Sequence, residues 1–167
     1  MVEHIVEFLI EGYASLLSRE GLVLIISMMP VLELRGGVLA GYFMDLPLLT
    51  TSVLGVVGNL IPIPFILLFM EKIFEWMEKY NILSGFMRKL RARAERKSKA
   101  LVNAEFWGLV LFVAIPLPVT GAWTGSWAAE ILQIPRRKAF LAIALGVLGA
   151  LCIMLIFSYG VLNSIGL

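Results

Sequence analysis

Four apolar blocks make up most of the chain, and the polar residues inside and between them set its organisation. Ahead of the first block, Val2, Ile5, Val6, Leu9, Ile10, Tyr13, Leu16 and Leu17 recur at helical spacing, with Glu3, Glu7 and Glu11 opposite. That pattern predicts an amphipathic helix over 1–20, lying at an interface or packed on the body rather than spanning. The second and fourth blocks, 48–70 and 139–161, have the roughly 20 residues needed to cross about 30 Å of hydrocarbon. The first and third, 21–45 and 106–134, are broken at their centres, by Met28-Met29-Pro30-Val31-Leu32-Glu33-Leu34-Arg35-Gly36-Gly37 and by Ile115-Pro116-Leu117-Pro118-Val119-Thr120-Gly121-Ala122-Trp123-Thr124-Gly125. Proline and glycine open a helix, and the freed backbone groups survive at membrane depth only against protein or trapped water. Each broken block therefore predicts a re-entrant hairpin of two half-helices; a kinked helix that spans is the alternative.

Composition strengthens the membrane reading. The 167 residues are 60% hydrophobic and 16% charged, with a mean hydropathy of +0.92, against about 45–50% and 25% in soluble domains. The expected class is an all-α integral membrane protein folding as one membrane domain. Nine of the 14 Lys and Arg fall within 71–100, inside a connector spanning 71–105, so this basic helical segment is expected in the cytoplasm. No aromatics interleave the basic run, which argues for membrane lipid headgroups over nucleic acid as its partner. Residues 1–20 are acidic and lack a basic leader, so no cleavable signal is expected. Cys152 lies in an apolar run and reads as a small buried hydrophobe. His4 stands alone, with no cluster that would ligate a metal.

The two halves, 21–70 and 106–167, match in order. Each has a broken block, then a proline at the start of a spanning helix (Pro47, Pro135), then a glycine-bearing pentad, Leu54-Gly55-Val56-Val57-Gly58 or Leu145-Gly146-Val147-Leu148-Gly149. Small residues three apart let helix backbones approach closely in lipid. With the connector and Arg136-Arg137-Lys138 both cytoplasmic, segment 106–134 must start and end inside, whereas 48–70 must begin outside. The halves are then inverted copies whose hairpin tips meet near the midplane, since half-helices of about nine residues rise roughly 13 Å.

The stretches Pro30 to Gly37 and Pro116 to Gly125 resemble the signatures of the small multi-drug export family of prokaryotic membrane proteins, which distantly resembles the DedA superfamily. The resemblance covers nearly the whole chain. It implies a multi-pass protein of a prokaryotic plasma membrane that moves polyprenyl-phosphate carriers or other phospholipids, or confers proton-coupled drug tolerance. It also implies a functional acid in the first hairpin, matched by Glu33, and arginines near the second. Here the second hairpin contains none; the nearest are Arg136 and Arg137.

Taken by their chemistry, Glu33 and Arg35 are the candidate substrate- and ion-binding pair. Desolvation and the neighbouring guanidinium act on the Glu33 proton in opposite directions, and Arg35 suits a phosphate. Backbone N–H groups at half-helices starting near Gly36, Gly37 and Gly121 favour an anion, Thr120 and Thr124 add hydroxyls, and Asn59 is a further polar group. A purely structural Glu33–Arg35 pair is the alternative. No Cys/His pair, phosphate loop or metal spacing is present, so neither an enzyme nor a cofactor is expected. The expected function is a proton-coupled transporter or flippase for an anionic amphiphile, working as a homodimer. A cation exporter and a non-transporting scaffold built on the basic run are the alternatives.

Overall fold

The computed structural model describes residues 5, 6, 8, 12, 17–80, 99–117 and 120–158. Most of the helix expected over 1–20, the basic run 81–98, and the end of the fourth block lie outside them. Ile5, Val6, Phe8 and Gly12 are helical, and Val6 is fully buried. The described residues otherwise form α1 (Arg19–Met28), α2 (Glu33–Phe43), α3 (Leu48–Leu60), α4 (Ile63–Lys79), α5 (Lys99–Ala114), α6 (Ala122–Ile131) and α7 (Arg136–Leu155). Among the described residues there is no strand.

The breaks fall where proline dictates. Met29 precedes Pro30 and is extended (φ −72°, ψ 138°), as the proline ring requires of the residue before it. The helix therefore stops at Met28 and restarts at Glu33. In the third block α5 ends ahead of Pro116 and α6 begins after Gly121. One expectation fails on length: α5 has 16 residues and starts at Lys99, inside the expected connector. Lys99 to Glu105 contains neither proline nor glycine, so the helix propagates outward. Pro62 and Pro64 interrupt the second block as a turn at Ile61-Pro62.

Both pairs end in the same corner. After α2, Asp45 takes a positive φ of 54°, and after α6, Gln133 takes 52°. Leu46 N donates to Gly41 O and Asp45 N to Tyr42 O (2.9 and 3.1 Å), while Ile134 N donates to Ala129 O and Gln133 N to Glu130 O (both 2.9 Å). These are Schellman caps that satisfy the last helical carbonyls. Extended Pro47 and Pro135 follow, one residue ahead of α3 and α7.

The helix pairs point at one another. An Arg19 N–H donates to Met44 O at 3.1 Å, closing the base of α1–α2. Leu67 and Leu68 of α4 lie beside Arg136, Arg137 and Phe140, at the base of α5–α6. The span Leu48–Met70 thus leaves the corner after α2 and brings α4 alongside the start of α7. Leu34 and Val38 of α2 share a core with Ile63, Val113, Ala122, Ile143 and Val147.

Leu48–Met70 and Arg136–Ser158 are each 23 residues, with only 28% and 33% of their apolar windows buried. Leu49, Val53 and Val57, and Leu141, Leu145 and Leu148, face outward. Such stripes are unfavourable in water and suited to lipid. Cys152 is exposed on α7, not buried as its apolar setting had implied, because it shares this outward side.

Glycines let the halves close up internally. A Cβ on Gly58 would lie 2.5 Å from Leu24 O and 2.9 Å from Ser27 Cβ, and one on Gly146 would lie 2.6 Å from Val113 Cβ. Thus α3 lies backbone-close to α1, and α7 to α5. Gly58→Val is expected to lower stability by roughly 1–3 kcal/mol, whereas Gly108→Ala, with nothing within 4 Å, gains up to about 1 kcal/mol of helix propensity. Denaturation midpoints in detergent check both; equal midpoints for Gly58→Val and the parent would refute the packing account.

Candidate functional site

The tips meet through Glu33. The turn Pro30–Leu32 delivers the chain into α2 with Glu33 at φ 50°, a left-handed conformation that costs a non-glycine residue about 1–2 kcal/mol. Its side chain is 5% exposed. The carboxylate crosses to the other pair, where Oε2 accepts from Ala122 N at 3.2 Å and Oε1 from Trp123 N at 3.1 Å. These are the first two N–H groups of α6, which that helix cannot satisfy itself. Glu33 acts as the N-cap of α6, supplied from the opposite half of the chain, and its charge opposes the positive end of the helix dipole.

Arg35 complements it. Half-buried on α2, it donates to the Leu117 carbonyl, just past the end of α5. A guanidinium at a helix C-terminus is favourable for the same electrostatic reason that a carboxylate is favourable at an N-terminus. The exchange runs both ways, since the Trp123 indole N–H donates to Met28 O, the last residue of α1, at 3.3 Å. Both side chains of the expected pair thus bond to the second half.

Gly121 makes the approach possible. Its backbone is extended, but any Cβ there would overlap the Glu33 carboxylate. The remaining expected residues sit differently. Gly36 and Gly37 are buried within the first pair, where added methyl groups would meet Leu32 and Ser27. They pack α2 on α1, and α2 itself starts three residues earlier, at Glu33. The Thr120 hydroxyl donates within 3.0 Å of Ile115 O and Leu117 O and accepts from Leu117 N at 3.2 Å, so it shapes the second tip. Thr124 Oγ1 lies 3.4 Å from Gly121 O. Asn59 is buried in α3, and its Oδ1 has no hydrogen-bond partner among the described residues. Arg136 and Arg137 are exposed at the base of the second pair, away from the tips. Trp123, which the sequence did not single out for the site, belongs to the junction by both its backbone and its indole. Among the described residues no cluster of His, Cys, Asp or Glu could hold a metal ion.

No curated protein and no solved structure matches the chain. Residues 33–153 match the sequence profile of the family described as "putative small multi-drug export protein". That stretch begins at Glu33, just after the turn of the first tip, and carries the second tip, the span Leu48–Met70 and most of α7. With well over half of its length matched, and two helices able to cross a bilayer, this chain is a membrane protein belonging to the small multi-drug export family.

Proposed function

We propose that this protein is a proton-coupled transporter that moves an anionic amphiphile, a polyprenyl phosphate or a phospholipid, across the plasma membrane of a prokaryote. In this reading the α1–α2 and α5–α6 pairs are re-entrant hairpins of an inverted repeat, entering from opposite faces and meeting at mid-membrane. The shared corners and the matching glycine contacts of the two spans support the repeat. A homodimer completes the translocation path, because two spans enclose little between them.

One observation carries the mechanism: the bond between the tips depends on the charge of a buried carboxylate. Ionised, Glu33 accepts from both Ala122 N–H and Trp123 N–H. Protonated, one oxygen becomes a donor, and it then faces a backbone donor with nothing to give it. Proton uptake therefore loosens the junction, and release re-forms it. A carboxyl group alternately reached from the two sides exchanges a proton for substrate. Arg35, beside it, is suited to a phosphate. Export of a cationic drug is the second reading, favoured by the family's description.

Reconstitution in liposomes with a fluorescent lipid phosphate separates these readings. Movement is expected to accelerate with an imposed proton gradient, and Glu33→Gln is expected to abolish that acceleration. Gradient-driven movement of tetraphenylphosphonium but not of the lipid phosphate would establish the second reading instead. Gly121→Ala is expected to displace the carboxylate and forfeit its charge-assisted bonds, worth about 1.5–3 kcal/mol each. Transport by that variant should fall roughly 10-fold or more, with the helical circular dichroism signal retained; an unimpaired variant would remove the junction from the mechanism.

A further inference from the structure

A cleft of about 550 Å³ opens beside the junction, between α4 and α6, lined by Phe65, Ile66, Leu68, Phe69, Lys72 and Trp123. A second, of about 320 Å³, shares Leu68 and brings in Arg136 and Arg137. The walls are apolar and aromatic, and the charged side chains among the described residues that line the two clefts are Lys72, Arg136 and Arg137. Lys72 stands two residues beyond Met70, where the apolar span ends, and Arg136 opens the other span. The positive charges therefore sit where hydrocarbon gives way to headgroups, and the apolar walls run inward from them.

We propose that the α4–α6 cleft binds an anionic membrane lipid, its phosphate at Lys72 and an acyl chain against Phe65, Phe69 and Trp123. Charge complementarity argues for the occupant, since the Lys72 ammonium at the rim of the apolar cleft attracts a phosphate. The wall residue Trp123 is also the one whose backbone holds Glu33 and whose indole holds Met28 O. A lipid chain in the cleft thus presses on the residue that joins the two tips, and occupancy is felt at the junction. The inference rests on the transport reading for its purpose, while binding itself is measurable without transport.

The test uses the full chain carrying Trp76→Phe, Trp107→Phe and Trp127→Phe, so that Trp123 is the reporter, in phosphatidylcholine vesicles. Acyl-brominated phosphatidylglycerol is expected to quench Trp123 at about a fivefold lower mole fraction than brominated phosphatidylcholine, the preference one surface cation gives an anionic lipid. Lys72→Gln should bring that ratio close to one. Equal quenching by both lipids, a ratio unmoved by Lys72→Gln, or no quenching because a second copy covers the cleft would each overturn the proposal. If the reporter variant does not fold, native mass spectrometry of the parent and Lys72→Gln replaces it. Phosphatidylglycerol adducts must then exceed phosphatidylcholine adducts in the parent and lose that excess in the variant. Selective binding by protein that moves no lipid would sink the transport reading and leave the cleft; transport with unselective binding would do the reverse.

Discussion

The capping of α6 by the Glu33 carboxylate is the contact on which the architecture turns. At the start of α6 Ala122 is buried and Trp123 half-buried, and backbone N–H groups left bare at such a place cost a few kcal/mol each. A side chain from within the same turn would ordinarily satisfy them. Here Gly121 occupies the cap position and has none to offer. The missing acceptor comes from a residue 89 positions away, so the second helix pair is not complete until the first has docked on it.

The rest of the junction follows the same economy. The open ends at the tips are the N-terminus of α6, the C-terminal end of α5 and the C-terminus of α1. They receive a carboxylate, a guanidinium and an indole N–H in turn, each matched in sign to the dipole it meets. Ser27 and Ser126, both fully buried, return their hydroxyls to carbonyls four residues back, Val23 and Ala122. The arrangement buries one charged group and half-buries another, and each meets backbone dipoles of the other half.

Much of this was legible in the chain. Pro30 and Pro116 announce the breaks because proline acts locally, through its ring and its missing N–H, whatever surrounds it. The glycine pentads announce close helix contacts for a similar reason. Trp123 could not be read this way: its part is played largely by a backbone N–H, which every residue but proline has, and only the docked partner singles it out. The corners were hidden too, since Asp45 and Gln133 stand where glycine usually marks a left-handed cap. Gly36 and Gly37 misled because a glycine before a helix and a glycine packed inside one look alike in sequence.

Those corners have a mechanical consequence. Each is tied by two backbone bonds and followed by a proline whose φ cannot change, so neither is a ready place for the chain to bend. If the tips part, each return arm must tilt together with the helix that follows its corner, as one stiff lever. An arm of ten residues is about 15 Å long, and a tilt of about 10° moves its end by roughly 3 Å. That distance is enough to separate a carboxylate from its donors while every helix stays wound.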